Sequence, residues 1–268
     1  MDTGNEWRIT FRPDIPSPAR IYDFLLGGKD NYPADREAAQ ELLAAIPDVR
    51  MFALQNRAFL RRAVWYMAGQ RGIRQFIDIG TGLPTEGNVH ELAQKAAPGA
   101  RVVCIDNDPV VLAHGRAMLH GVADTLIIEH DLRRPAAILA DPDLGKLIDF
   151  GEPVGLLLVA VMHFIPDEDD PAGLIGQLVG ALPSGSLVAL SHATADSRPE
   201  SAKGERVYDR ATAQAQARTR EQVEAMVTGL DLVEPGLVWA PQWRPEPGTD
   251  PDPDPGRSHV YVVVGRKP

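Results

Sequence analysis

Three short apolar runs in this 268-residue chain end on aspartate: "QFIDIG" carries Asp78, "RVVCIDND" carries Asp106 and "IIEHDL" carries Asp131. Behind the first comes a tight glycine turn, Gly80, Thr81 and Gly82. A strand running into such a turn usually holds a nucleotide, and the neighbouring residues say which kind. A triphosphate loop needs Lys followed by Ser or Thr, to neutralise phosphate and hold magnesium. Leu83, Pro84 and Thr85 stand there instead, and no lysine follows before Lys95. A dinucleotide fingerprint needs a third glycine where Thr85 stands, and Asp78 would face a pyrophosphate at a range where like charges repel. The same carboxylate suits a ligand that carries positive charge near the turn. S-adenosylmethionine is such a ligand, with a sulfonium, an ammonium, a ribose and an adenine but no phosphate. Asp106 could accept from both ribose hydroxyls, and Asp131 from the adenine amino group. Taken singly, Asp106 and Asp131 could equally cap a helix or a turn. The ordered set with Asp78 and the glycines points to the cofactor. Asn107 and Leu132, beside the same strand ends, and Ala160, in the fourth apolar run "VGLLLVAVMHF", join the candidate cofactor set.

Methyl transfer from a sulfonium is an in-line displacement, so the protein has mainly to orient the nucleophile and exclude water. An acidic nucleophile also needs a base. Two histidines follow apolar runs, His163 in "AVMHFIPD" and His192 in "LSHAT". A histidine at a strand end more often bonds a loop than takes a proton. His163 is the candidate base, because its strand would lie beside the cofactor. Phe164 could pack on a substrate or simply in the core. Upstream, "IYDFLLGGKDNYP" gathers aromatic and polar residues around paired glycines. It reads as a helix end and solvated turn, or as a lid in which Gly28 lets backbone approach the ligand and Tyr22 lines the pocket. Arg57, Arg61 and Arg62 read as a solvated basic face. No metal site is expected.

These residues need elements to carry them. Ser17 and Pro18 open a short helix that Gly27 and Gly28 end. Helices follow over 33–46 and 48–69, the second with Met51, Leu54, Ala58, Val64 and Trp65 at roughly helical spacing. From Gln75 apolar strands alternate with helical segments at 88–97, 109–119, 134–140 and 170–182, which means parallel βαβ units buried on both faces. "SLVALSHA" is a fifth strand. Residues 194–218 are helix or loop, and Thr219 with Gln222 forms a capping box for a helix ending near Gly229. "LDLVEPGLVWA" and "HVYVVVGRKP" are two late strands, joined by a Pro/Asp-rich loop that reads as disordered or as a surface excursion. Residues 1–16 read as an extended arm.

A net charge of −10 argues against general nucleic-acid binding, which needs a basic footprint. The single cysteine, Cys104, sits in an apolar run and reads as core. No run is long enough to span a membrane and no signal core is present, so a cytoplasmic location is expected.

The chain resembles the actinobacterial S-adenosyl methyltransferase family, long known as a domain family of unknown function. The likeness covers nearly the whole chain. It rests on "PSPARIYDFLLGGKDNYPADREAA", "QFIDIGTGLPTEGNVHELAQ", "RVVCIDNDPVVLAH", "LLLVAVMHFIPD", "EPGLV" and "VGRKP", of which the first is specific to the family. The resemblance implies an α/β, Rossmann-like class I methyltransferase fold, a three-layer sandwich. Its sheet would have seven strands, parallel except for one late strand, with added N-terminal helices. It implies a cofactor site at Gly80, Thr81, Gly82, Asp106 and Asp131. Pro84 departs from the commoner glycine and narrows the loop. Residues 1–72 are then an arm and helices forming part of a lid, and 73–268 the S-adenosylmethionine-binding domain. The expected function is methyl transfer to an unidentified, small-molecule acceptor. A non-catalytic module that senses S-adenosylmethionine or a metabolite stays open, as does, more weakly, a nicotinamide oxidoreductase. Oligomeric state is not legible.

Overall fold

The computed structural model describes residues 10–85 and 87–268; of the arm expected over residues 1–16, residues 1–9 lie outside that range. Five strands, β1 (Gln75–Ile79), β2 (Arg101–Asp106), β3 (Thr125–Glu129), β4 (Gly155–Leu158) and β5 (Leu187–Ala193), pair in parallel. The sheet order is β3-β2-β1-β4-β5, continued by β8 (Val260–Arg266). The chain moves outward from β1 to β3 and then returns to the other side of β1. This reversal opens a crevice at the carboxyl ends of β1 and β4, where ligands bind in open α/β sheets.

Among the described residues the sheet has eight strands, where seven are expected. The stretch read as one late strand is broken into β6 (Asp231–Leu232) and β7 (Val238–Trp239), both antiparallel to β8. The break falls at Glu234, Pro235 and Gly236. Proline has no N–H for a ladder. The N–H of Gly236, at φ 82°, turns back to Val233 O at 2.9 Å. Because β6 and β7 oppose β8, and β8 opposes β5, β8 alone among the described strands runs against the rest.

Helices cover both faces. On one lie α1 (Pro18–Leu25), α2 (Pro33–Ala45), α3 (Val49–Trp65) and α4 (Val89–Ala96), packed into a core with Phe59, Phe76, Val102 and Trp243. α5 (Pro109–Met118) packs on β3. On the other face α6 (Pro135–Leu139), α7 (Pro142–Leu147), α8 (Pro171–Ala181) and α9 (Arg220–Met226) close over Ile77, Val103, Leu156 and Val188. α7 was not anticipated; it starts at Pro142 behind Asp141, whose carboxylate accepts from the N–H of Asp143 at 2.7 Å. α3 is turned differently from the sequence reading. It buries Phe52, Ala53, Asn56, Phe59, Leu60, Ala63 and Val64, while Leu54 and Trp65 are about half exposed (52% and 51%). The row 52-56-59-63 follows helical spacing, so a polar residue, Asn56, lies in the apolar stripe. The segment 194–218 contains a 3₁₀ helix, Pro199–Arg210, which packs on α2. The Pro/Asp-rich excursion is exposed over 245–254 and tied at its end by Arg198–Asp254 and Arg257–Asp48 pairs.

Candidate functional site

A cavity of about 600 Å³ opens at the carboxyl ends of β1, β2 and β4, under α1 and α3 and beside the 199–210 segment. Asp78, Gly80, Thr81, Gly82, Asp106, Asn107, Asp131, Leu132, Ala160, His163 and Tyr22, all named from sequence, line it. Gly28 does not.

The glycine turn is held to the next strand. The N–H groups of Gly80 and Thr81 donate to Ile105 O at 2.8 and 3.2 Å. Gly80 has φ 74°, and a Cβ there would lie 2.5 Å from Val161 Cγ2, so both the turn and the packing require glycine. Asp78 is 5% exposed, and Thr81 Oγ1 donates to its Oδ2 at 2.7 Å. Asp106 is 8% exposed; its Oδ2 accepts from Gly82 N and its Oδ1 from Asp108 N, both at 2.9 Å. Burial dominates both groups and pushes each carboxyl up to about 6. Two buried carboxylates that burial makes reluctant to ionise gain most from a cationic ligand. With the positive-φ glycines Gly80 and Gly82 lining the same cavity, the residues fit S-adenosylmethionine.

Asp131 is less free. Its Oδ1 accepts from the N–H of Arg133 at 2.9 Å and from Arg133 Nε at 3.0 Å, and its Oδ2 accepts from the Arg133 guanidinium at 2.5 Å. Although burial opposes it, the guanidinium holds Asp131 below the usual carboxylate range. Both oxygens are therefore already engaged before any adenine contact. Asp108, missed in the sequence, accepts at Oδ1 from Val110 N at 2.8 Å and caps α5, while Ser17 Oγ donates to its Oδ2. Ser17 thus starts α1 without capping it by its own side chain.

Ala160 has φ 58°, and its N–H donates to Ser191 Oγ at 2.7 Å. Ser191 Oγ donates in turn to Asn56 Oδ1 at 2.6 Å, and Asn56 Nδ2 donates to Tyr22 Oη at 2.9 Å. Tyr22 completes the chain by donating to Ala53 O at 3.1 Å. Burial pushes the Tyr22 phenol up to about 12. Gly28 stands behind Asp23: a Cβ would lie 1.9 Å from Asp23 Oδ1. Asp23 lines the cavity and accepts from Asn31 Nδ2 at 2.8 Å.

The two histidines separate. His192 is fully buried and outside the cavity lining. Its Nδ1 bonds Ala193 O at 2.8 Å and its Nε2 accepts from Arg218 Nη1 at 2.9 Å, which fixes a neutral tautomer. Burial pushes it down to about 4. His163 lines the cavity, is 5% exposed, and its Nδ1 has no hydrogen-bond partner among the described residues. Burial, then the positive charge of Arg218, keeps it neutral, well below the usual range. Phe52, Phe164 and Tyr208 surround it on the cavity wall. Of the arginine run, Arg62 donates to Ala240 O and Trp243 O at 2.6 and 2.8 Å, and Arg57 lines the cavity and donates to Gly87 O at 2.9 Å. Neither belongs to a merely solvated face. Among the described residues no group of His, Cys, Asp and Glu could hold a metal, and no helix is long and apolar enough to cross a membrane.

A family profile described as S-adenosyl methyltransferase matches residues 7–268. The crystal structure of a DUF574 family protein from Streptomyces avermitilis is similar at 40% identity, covering 96% of this chain and 100% of its own, with a TM-score of 0.91. That of "a putative methyltransferase" from Thermobifida fusca is similar at 39% identity over 95% of this chain and 96% of its own, with a TM-score of 0.90. An O-methyltransferase family protein from Burkholderia thailandensis shares the fold alone, at 12% identity over 82% of this chain and 58% of its own, with a TM-score of 0.53. A comparison with curated proteins finds no match.

Proposed function

Because the chain belongs to the S-adenosyl methyltransferase family and is an S-adenosylmethionine-dependent methyltransferase, we propose that it methylates a small molecule held in the cavity between the sheet edge and the N-terminal helices. One observation carries the reading. Asp78, Asp106 and His163 line a single pocket of about 600 Å³ that α1, α3 and the 199–210 segment wall in. Such a recess suits a small acceptor better than a macromolecular surface.

The cofactor supplies, when bound, a methyl group activated on a sulfonium. This chain's residues do the remaining work. Asp78 carries the negative charge for the cationic end, beside the glycine turn. Asp106 has both oxygens aligned by backbone N–H groups and accepts from the ribose hydroxyls. Asn107 and Leu132 border the adenine end, with Asp131 positioned through Arg133. Ala160, at the end of β4, and Tyr22, on α1, bound the cavity towards the acceptor. His163 stays neutral at physiological pH and takes the acceptor's proton. Residues 17–32 form part of a lid over the pocket, which excludes water while transfer occurs.

Calorimetry with S-adenosylhomocysteine, S-adenosylmethionine and NAD tests the ligand assignment. Binding of the first two in preference to the third is expected. Tight NAD binding with no S-adenosylhomocysteine signal would overturn the residue assignments.

A further inference from the structure

We propose that the methyl acceptor is a planar aromatic compound bearing a hydroxyl, with its ring against Phe52, Phe164 and Tyr208 and its hydroxyl towards His163. The inference rests on the reading of His163 as the base of the methyltransferase site and narrows it to a substrate class.

The wall around His163 is aromatic. The Phe52 ring meets the imidazole edge-on, with centroids 5.7 Å apart at 84°. Phe164 lies 4.3 Å from the imidazole at 50°, and Tyr208 lies 5.3 Å from Phe164 at 60°. Tilted and edge-to-face rings present both faces and edges, the surfaces to which a further flat ring packs well. In the midst of this apolar wall Nδ1 of His163 is buried without a partner. A buried polar atom left unpaired costs free energy; when the imidazole turns towards the cavity that it lines, a hydroxyl on a ring packed here donates to it and removes that cost.

The charge behind the wall selects a hydroxyl over an amine. Arg218 is buried at 3% exposure. Its guanidinium donates to His192 Nε2, to Met162 O and to Ile165 O, so it braces the backbone on both sides of His163. Its carboxylate partner, Asp167, is 61% exposed, so solvent screens that side of the pair. Arg218 sets a positive charge behind His163, which, after burial, is one reason the imidazole stays neutral. An ammonium would be repelled there. A hydroxyl whose oxygen gains negative charge as it loses its proton would be favoured. Of the two carboxylates of the 199–210 segment that line the cavity, Glu205 and Asp209, Glu205 is engaged in accepting from Ala217 N at 2.7 Å.

In the reaction the acceptor oxygen forms a bond to the methyl carbon while the carbon–sulfur bond of the donor breaks. The electron pair of that bond stays on sulfur, giving a neutral thioether. The hydroxyl proton passes to the imidazole of His163 and from there to water. A weakly basic imidazole suffices, because the O–H becomes far more acidic as the new bond forms.

Three ring-matched probes test the proposal by binding rather than turnover: 2-naphthol, naphthalene and 2-aminomethylnaphthalene, each titrated into the full chain with S-adenosylhomocysteine bound. 2-Naphthol should bind about three- to tenfold tighter than naphthalene, the effect of one neutral hydrogen bond, and the ammonium probe should bind weakest. H163F should abolish the preference for the hydroxyl and H163N should restore part of it, both with unchanged S-adenosylhomocysteine affinity. Equal binding of 2-naphthol and naphthalene, tightest binding of the ammonium probe, or a hydroxyl preference that survives H163F would each overturn the substrate class. Loss of S-adenosylhomocysteine binding by the unaltered protein would instead strike the site assignment on which it rests.

Discussion

Ser191 on β5 donates its hydroxyl to Asn56 on α3 at 2.6 Å, across 135 positions of chain. This bond is the middle of a relay that begins at Ala160, at the floor of the cavity, and ends at Tyr22 in its roof. It joins the sheet edge to the added N-terminal helices through side chains rather than through apolar packing alone. Replacing Asn56 by Leu should cost about 1–3 kcal/mol, because the Ser191 and Tyr22 hydroxyls each lose a buried partner. Urea denaturation would measure it. A double-mutant cycle with Ser191→Ala should show the two losses to be less than additive, as expected within one network. Full additivity would mean that the bond is incidental to stability.

Asp106→Ala should weaken S-adenosylhomocysteine binding about ten- to a hundredfold, from the loss of hydrogen bonds to a charged acceptor. The fold should persist, since Asp106 follows the last apolar residue of β2. Asp131→Ala should cost less, because its oxygens already serve Arg133 and water can replace one contact. Calorimetry on both variants ranks them. Normal affinity in Asp106→Ala with an unchanged melting temperature would remove the ribose role.

Asp78 links binding to pH. Its folded pKa, about 6, lies above the ordinary 3.8, so between those values the folded protein holds a proton that the unfolded chain has released. The sign follows directly: this contribution favours folding at low pH and is lost as pH rises from about 4 through 6. Asp78→Asn should therefore stabilise the ligand-free protein at pH 7, by roughly 1–3 kcal/mol. Thr81 Oγ1 can still donate to the amide oxygen. The same change should weaken S-adenosylmethionine, because the positive ligand loses its countercharge. In the unaltered protein, affinity should fall as pH drops below about 6, with proton release on binding. Titrations at pH 5, 6, 7 and 8 in two buffers of different ionisation enthalpy would read both effects. Affinity flat across that range would exclude an ionised Asp78 as the countercharge.

The carboxyl edge of the sheet was legible because strand-end aspartates and a glycine turn are local patterns. Asp78, Asp106 and the turn were placed by type and spacing alone. What escaped depended on orientation. Asn56 sits in the 52-56-59-63 stripe of α3, but Leu54 and Trp65 suggested another face, and only packing against the sheet decides between them. His163 and His192 have similar settings in sequence; the approach of Arg218, 26 positions beyond His192, makes one structural and leaves the other facing the cavity. Gly28 is a point of close approach, but to Asp23 rather than to the cavity. The break between β6 and β7 is marked in the sequence by Pro235 and Gly236, but the apolar pattern resumes after it and reads as one strand.

The segment 17–32 should order further when ligand arrives. Ser17 bonds Asp108, next but one to Asp106 along the chain, and Tyr22 bonds both Ala53 and Asn56. Buried Ile21 and Leu25 hold α1 against α2 and α3. The anchor at Ser17 is a single side-chain contact to the cofactor edge of the sheet, so a ligand that fixes Asp106 and its neighbours also fixes the start of α1. Lids are drawn from the less stable parts of a fold. Hydrogen exchange with and without S-adenosylhomocysteine should show added protection at residues 17–32, and Ser17→Ala should reduce that gain without unfolding the sheet. Equal protection in both states, together with normal cofactor affinity after removal of residues 1–32, would reduce α1 to packing and leave closure to the segments around His163 and Pro199–Arg210.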